Sequence, residues 1–129
     1  HLWLSLADAY YDMTDYQSAL DAYERALQLV PTDVITLNGK GNALRRLGKW
    51  SAAEQTYRRA LALQADDATK ATLWANLALA YEGEGKPADA ANARAKATAL
   101  ERQLAANPGA IVLQGAPKGG VVESNRHPR

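Results

Sequence analysis

One stretch of the sequence returns in the same pattern after an interval of 34 residues. Segment 16–29 aligns with segment 50–63. At many aligned positions both segments have a residue of the same class, whether small, aromatic or aliphatic. The identical pairs include Ala19 and Ala53, Tyr23 and Tyr57, Ala26 and Ala60, Leu27 and Leu61, and Leu29 and Leu63. A fixed interval of this size is typical of a repeat array, in which each copy buries its apolar face against its neighbours.

Within each copy the apolar residues recur at helical spacing. Leu2, Leu6 and Tyr10 are each four residues apart, and Ala53 and Tyr57 repeat the same step. This spacing places them on one face of a helix, and the abundant alanine favours helices that pack closely. We predict an all-α fold of six helices, at about residues 1–13, 16–30, 33–47, 50–64, 67–84 and 87–106.

A third copy of the pattern begins at Trp74 and includes Tyr81. Its second helix is displaced by 37 residues from that of the second copy, since Arg94 takes the place of Tyr57. The three additional residues correspond to about one helical turn. We expect this turn to lie at about residues 66–70, between the second and third copies.

The residues that begin and end helices in this sequence agree with paired helices. Pro31 ends one hairpin and Thr32 or Asp33 can cap the next helix, while Ser51 and Glu54 have the spacing of a capping box. Gly48 and Gly85 are predicted to lie between the two helices of a hairpin, where a left-handed residue is commonly needed.

These residues resemble the tetratricopeptide repeat, whose pattern is Trp-x-x-Leu-Gly-x-x-Tyr, then Ala-x-x-x-Phe, then Pro. The first copy is the closest match, the second has Lys40 and Ala65 where Leu and Pro are usual, and the third is partial. The matching residues of the first copy are Trp3, Leu6, Ala7, Tyr10, Ala19, Tyr23, Ala26 and Pro31. The resemblance implies an α-α superhelix, a TPR-like solenoid of three helix-turn-helix repeats at about residues 1–33, 34–67 and 71–106.

The sequence changes character from Asn107 onward. Pro108 and Gly109 stop the last helix, and the remaining residues to 129 contain further Gly and Pro. We expect a repeat domain over residues 1–106 and an irregular tail over 107–129. Our hypothesis is that Ile111, Val112 and Leu113 pack either on the domain itself or on another molecule; an ordered tail without a role is the alternative.

Several classes of function find no support in the sequence. The formal net charge is +1 with no cysteine, and the two histidines, His1 and His127, lie at the ends. A nucleic-acid binder normally carries a basic stripe, a zinc site needs clustered ligands, and acid–base catalysis needs ordered titratable groups. We therefore predict no enzymatic activity, cofactor, metal, nucleic acid or membrane partner, and interpret Asp66 and Asp67 as helix-capping residues rather than a metal pair.

The resemblance implies a concave groove lined by the first helix of each hairpin. The groove residues that follow from it are Leu4, Asp8, Tyr11 and Asp12, then Asn38, Asn42, Arg45 and Arg46, then Ala75, Leu79 and Glu82. A carboxamide such as Asn42 can donate to and accept from a peptide backbone, and an arginine can grip a carboxylate with two hydrogen bonds. The alternative is a solvated helix face for each residue. Family members that clamp a C-terminal carboxylate carry Lys and Asn where this chain has Leu4 and Asp8, so we do not expect that ligand.

The favoured interpretation is a protein–protein interaction module that binds a peptide or helix of a partner in its groove. The alternative is a self-associating scaffold that uses the repeat ends or the tail to form homo-oligomers. The chain begins at His1 within a helical pattern, and we interpret it as part of a longer protein. The absence of a signal peptide or spanning segment favours the cytoplasm, although targeting segments can lie outside this sequence.

Overall fold

The computed structural model describes residues 2–107, and within this range the chain forms helices joined by short turns. Their bounds are α1 Leu2–Asp12, α2 Tyr16–Leu29, α3 Val34–Arg46, α4 Trp50–Leu61, α5 Asp67–Gly83 and α6 Pro87–Ala106. Each helix contacts the next along the chain, and α1 also contacts α3 as α3 contacts α5. The prediction of an all-α array of three hairpins is therefore confirmed for the described residues.

Three of the helices begin at an aspartate whose carboxylate accepts a backbone hydrogen bond. Asp33 caps α3 and Asp66 caps α5, as expected, and Asp15 caps α2 without having been singled out. The predicted capping box at the start of α4 is wrong. Lys49 is the N-cap residue there and makes no side-chain cap, so Ser51 already lies inside the helix.

The turn within each hairpin needs one residue in the left-handed region of backbone space. Gly48 has a φ of 78° and Gly85 a φ of 75°, as predicted for these turns. The first hairpin has Thr14 at this place, with a φ of 61°. A β-branched residue is disfavoured in that conformation, so the first turn is the least well matched to its sequence.

The core is built from small residues at the points where helices cross and from a few large side chains between them. Ala7, Ala19 and Ala53 are fully buried, and their small side chains let neighbouring helices approach closely. The large side chains with the least exposure include Tyr57, Leu37, Leu73 and Leu77. This core joins all three hairpins, which agrees with an array whose copies are stabilised by their neighbours.

Helix α5 is longer at its start than α3. It begins at Asp67, seven residues before Trp74, whereas α3 begins at Val34, three residues before Leu37. The extra turn predicted at residues 66–70 is therefore the first turn of α5. Helix α6 buries only Ala90, Ala93 and Ala97, and its remaining surface is largely exposed, as expected of a helix that ends the described array.

Two predictions lie partly or wholly outside these observations. The hypothesis for Ile111, Val112 and Leu113 concerns residues outside the described range. The limits of the repeat domain, of its three repeats and of the tail from residue 107 stay predictions. The first two hairpins fall within the proposed repeats, whereas the third begins at Asp67, before the proposed start at residue 71.

Candidate functional site

The first helices of the three hairpins form one layer of the molecule. Helix α3 contacts both α1 and α5, and no comparable contact joins α2 to α4 or α4 to α6 among the described residues. A hydrogen bond of 2.9 Å from Asn76 Nδ2 to Asn38 Oδ1 connects α5 to α3 within this layer. The candidate site is the face of this layer that carries Asn38, and we call it the inner face.

Two tyrosines of the second helices reach polar groups on the first helices. The Tyr23 hydroxyl donates to Asp8 Oδ1 at 2.6 Å, and the Tyr57 hydroxyl donates to Asn42 Oδ1 at 2.5 Å. The donors are 34 residues apart, and so are the acceptors, so the same bond is made in both hairpins. Asp8 and Asn42, which the resemblance implied as ligand-binding residues, thus each already have a partner within the domain.

The third hairpin makes a different contact, and its acceptor lies three residues after Leu79, the counterpart of Asn42. Arg94, which stands where the other hairpins have tyrosine, forms an ion pair with Glu82 on α5. Glu82 was predicted as a groove residue, and Arg94 was interpreted as a departure from the family pattern. In each hairpin, therefore, a polar side chain of the second helix contacts the groove residues of the first.

The tyrosine hydroxyls are held in their neutral form by their surroundings. Burial raises the pKa of Tyr23 well above its usual value, and the hydrogen bond and negative charge of Asp8 raise it further. Burial also raises the pKa of Tyr57, although the hydrogen bond from Arg45 and its positive charge act in the opposite direction. Both hydroxyls are consequently hydrogen-bond donors at neutral pH.

Two arginines lie side by side at the end of α3. Arg45 donates from Nε to the Tyr57 hydroxyl at 3.3 Å and from Nη2 to Asn42 Oδ1 at 3.5 Å. The guanidinium of Arg46 lies 5.2 Å from the centre of the Tyr16 ring, and Tyr16 contacts Tyr11 edge to face at 5.1 Å. The proximity of Tyr16, and then of Tyr11, raises the pKa of Arg46.

The other predicted residues of the site are more loosely held. Asp12 is exposed on α1, and Leu79 is 42% exposed on α5. Leu4, Tyr11 and Ala75 are half-buried. The structure therefore brings Asp8, Asn42 and Arg45 into hydrogen-bonded contact with second-helix tyrosines, while Asp12 and Leu79 remain available on the surface.

Sequence reasoning missed Asn76 and the role of the tyrosine hydroxyls. Tyr23 and Tyr57 were interpreted only as a matching pair of the repeat, at a position where the family has Phe. A buried tyrosine usually finds a partner for its hydroxyl, so Tyr in place of Phe was the signal for the bonds to Asp8 and Asn42. Asn76 carried no comparable signal, because its partner Asn38 is 38 residues away and on another hairpin.

Four aromatic residues at repeat positions of the first helices are half-buried and pack against the core. Trp3 and Trp74, with Tyr10 and Tyr81, border the buried cluster. Arg25 lies 5.2 Å from the Trp3 ring and Lys96 lies 4.7 Å from the Trp74 ring. The basic residues thus cover the exposed parts of the two indoles.

Residues 2–107 contain no group of three or more His, Cys, Asp and Glu side chains placed to hold a metal ion. In the same range no helix is long and apolar enough to cross a membrane.

The family model for the tetratricopeptide repeat matches this chain over residues 4–68 and 39–110. The chain belongs to the tetratricopeptide repeat family. As a tetratricopeptide repeat domain it is a protein–protein interaction module. The match includes the three hairpins and the whole of the candidate site.

Solved structures of other tetratricopeptide-like proteins superpose on this domain. The globular C-terminal domain of Pseudomonas aeruginosa LpoP is 33% identical, with a TM-score of 0.72 over 75% of this chain and 92% of that one. A crystal structure of MamA is 23% identical, with a TM-score of 0.72 over 80% of this chain. The type III secretion translocator chaperone SycD of Yersinia enterocolitica, solved as a dimer, is 20% identical, with a TM-score of 0.72 over 88% and 81% of the two chains.

The present chain spans 58% of the MamA chain. The likeness to MamA and SycD is a likeness of fold. No curated protein sequence matches the chain.

Proposed function

We propose that the inner face binds a segment of a partner protein as a peptide or helix. The observation that carries this proposal is a surface on the three first helices that combines polar and apolar side chains. Polar groups with unused hydrogen-bonding capacity lie there beside an apolar side chain, Leu79, that is 42% exposed. Peptide grooves combine such apolar contacts with a few polar groups that fix the backbone.

Asn38 and Asn76 are the clearest example of side chains with unused hydrogen-bonding groups. Asn38 accepts one hydrogen bond from Asn76, and the two donors of its own amide group make no hydrogen bond within residues 2–107. The carbonyl oxygen of Asn76 is equally without a donor in that range. A peptide backbone offers one acceptor and one donor per residue, so the pair can bind a backbone carbonyl and a backbone N–H at once.

The test is a selection of short peptides on the immobilised domain, followed by affinity measurements with two matched variants. Leu79→Arg places a long charged side chain on the inner face and is expected to lower the affinity of selected peptides at least roughly tenfold, because it removes an apolar contact and obstructs the groove. Leu29→Arg is the control, since Leu29 is 64% exposed at the end of α2, outside the layer of first helices. This control is expected to bind as the unmodified domain does.

Equal affinities for both variants would contradict the proposal, as would a loss confined to Leu29→Arg. Circular dichroism melting of each variant shows that a loss of affinity is not a loss of fold.

The rival proposal, self-association, has one observation in its favour. On α1, Leu2 is 79% exposed and Leu6 is 38% exposed, and they lie one turn apart beside the half-buried Trp3. Contiguous exposed apolar side chains are often covered by another molecule. If a second copy covers them, sedimentation experiments will show a mass that rises with concentration, and Leu6→Glu will restore the monomer.

A further inference from the structure

The first and third hairpins carry the same pocket between their two helices, on a side of the hairpin other than the inner face. The residues that line it in the first hairpin include Trp3, Leu6, Tyr10, Asp21 and Arg25. Their counterparts, each 71 residues further along the chain, line the pocket of the third hairpin and are Trp74, Leu77, Tyr81, Asn92 and Lys96. The third pocket has one additional wall, because Arg58 of the preceding helix α4 also lines it.

The covering helix accounts for the difference in exposure between the two pockets. Leu77 is 1% exposed beneath α4, whereas its counterpart Leu6 is 38% exposed. Helix α1 contacts α2 and α3, and within residues 2–107 no helix takes the place of α4 at the first hairpin. The first hairpin therefore presents a surface of the kind that a helix covers elsewhere in the same molecule.

The junction between α4 and α5 shows which side chains a covering helix uses. Trp50, Glu54 and Arg58 recur every four residues and thus share one side of α4. The Trp50 ring lies against Gly83 at the end of α5, and Glu54 forms an ion pair with Lys86 at 3.7 Å. Arg58 enters the pocket. The covering helix thus makes three contacts, two near the turn that follows α5 and one in the pocket.

The first hairpin is acidic at the places where these contacts are made. Asp12 and Asp15 are exposed, and the residues at the same two positions of the other hairpins are Arg46 and Lys49, then Gly83 and Lys86. In the pocket Asp21 takes the place of Asn92. Asp15 and Asp21 accept hydrogen bonds only from neutral groups, so three carboxylates face one cation, Arg25. We call the pocket together with Asp12 and Asp15 the end face.

We propose that the end face binds a basic amphipathic helix of another protein, placed on α1 as α4 is placed on α5. Such a helix puts a lysine or arginine beside Asp21, a second one beside Asp15, and apolar side chains over Leu6. Charge complementarity of this kind selects the partner and its orientation. The acidic residues also separate the end face from the two junctions inside the domain, so a further hairpin like the second or third does not fit it. The site is distinct from the inner face and goes beyond the proposed function.

A second copy of the chain does not provide the required helix. Stacking of two copies end to end would place α6 of one copy on the end face of the other, as α2 and α4 are placed within the domain. Helix α6 carries Ala91 and Ala95 at the positions of Glu54 and Arg58. It therefore offers no positive charge to Asp15 or Asp21.

The probe for the experiment is a peptide with the sequence of α4, residues 50–61, that carries Glu54→Lys. A staple between positions 52 and 56 keeps it helical, since a helix of 12 residues is marginal in isolation. Fluorescence anisotropy measures its binding to the full chain. The labelled probe is expected to bind at least roughly tenfold more tightly than the same peptide with Arg58→Glu, which places a like charge beside Asp21.

Variants of the full chain locate the bound probe. D21K is expected to weaken probe binding roughly fivefold to tenfold and to bind the Arg58→Glu peptide more tightly than the unmodified chain does, because the two charges are exchanged. E101K is the control with the same change in charge, since Glu101 is exposed on α6. D12K repeats the test if D21K is unstable. L79R, on the inner face, is expected to leave probe binding unchanged.

Four results would overturn the inference. They are a probe that does not bind, equal binding to D21K and E101K, loss of binding in L79R, and a chain that is already dimeric in sedimentation and becomes monomeric as L6E. The third would place the probe on the inner face, and the fourth would show that a second copy covers the end face. The proposed function is judged separately, because it concerns selected peptides that L79R weakens and D21K does not.

Discussion

The hydroxyl of Tyr23 on α2 donates a hydrogen bond of 2.6 Å to the carboxylate of Asp8 on α1. The bond joins Asp8, which the sequence analysis assigned to ligand binding, to Tyr23, which it identified only as a residue of the repeat pattern. The same relation between Tyr57 and Asn42 in the next hairpin shows that it belongs to the repeat. The inner face is therefore preorganised by polar contacts from the helices behind it.

The Asp8 bond predicts a difference between two aspartates one turn apart on α1. Asp8→Ala leaves the buried Tyr23 hydroxyl without its acceptor and should lower the free energy of unfolding by about 1–3 kcal/mol. Asp12→Ala should change it by less than about 0.5 kcal/mol, because Asp12 is exposed. Urea unfolding of both variants at neutral pH checks the prediction, and equal effects would contradict the role given to Asp8.

The conformation of Thr14, in the turn between α1 and α2, predicts that a substitution there stabilises the domain. Thr14 has a φ of 61°, where a residue with a Cβ is strained by about 1–2 kcal/mol and glycine is not. Thr14→Gly should raise the free energy of unfolding by about 0.5–1 kcal/mol, after the larger backbone entropy of glycine is subtracted. Thermal unfolding checks it, with Gly48→Ala as the reverse change in the second hairpin. A destabilised Thr14→Gly would show that the threonine side chain has a role in this turn.

The close packing around Gly41 predicts that a single added methyl group destabilises the domain. A Cβ at this position would lie 2.5 Å from Cε1 of Tyr57, so the ring or the helix has to move. Gly41→Ala should therefore destabilise the domain by about 1–3 kcal/mol, although alanine is the better helix former by about 1 kcal/mol. Denaturant unfolding measures this cost. With Tyr57→Leu present, the same substitution should cost less, and full additivity of the two would argue against the close approach.

The Glu54 ion pairs predict a dependence on acidic pH. Burial raises the pKa of Glu54, but the hydrogen bond from Arg58, together with Glu84 and the charge of Lys86, brings it below its usual value. Because this pKa is lower in the folded than in the unfolded chain, the stabilisation is present at neutral pH. It is lost as the pH falls through the folded-state pKa.

Glu54→Gln should thus lower the free energy of unfolding by about 1 kcal/mol at pH 7 and have little effect below the folded-state pKa. Glu24→Gln is the control, since Glu24 is half-exposed and has one ion pair, with Lys40 at 3.7 Å. Unfolding curves over a pH series provide the comparison, and a Glu54→Gln effect that does not change with pH would contradict the assignment.

The sequence predicted the hairpins well because their determinants are local and periodic. Apolar spacing marked the helices, Gly48 and Gly85 marked two turns, and the aspartates before α3 and α5 marked two helix starts. The capping box failed because Ser51 and Glu54 have the right spacing but the helix already begins at Trp50. Spacing alone does not fix the first residue of a helix.

The candidate site was predicted less completely, for a physical reason. The resemblance implied which residues lie on the first helices, but not which of them the second helices engage. The contacts of Asp8, Asn42 and Glu82 depend on the direction of side chains 12 to 15 residues away. The bond between Asn38 and Asn76 depends on how two hairpins stack. Tyr in place of Phe indicates that each hydroxyl has a partner but not which residue it is, and the contact between Asn38 and Asn76 leaves no periodic signal in the sequence.

The central claim, that the inner face binds a peptide, is tested most directly by NMR titration of the isotope-labelled domain with a selected peptide. The largest shift changes are expected on α1, α3 and α5, with the side-chain signals of Asn38, Asn76 and Arg45 among them. Signals of α2, α4 and α6 that lie away from this layer should change little. Changes concentrated on those second helices would contradict the account and place recognition on the opposite side of the domain.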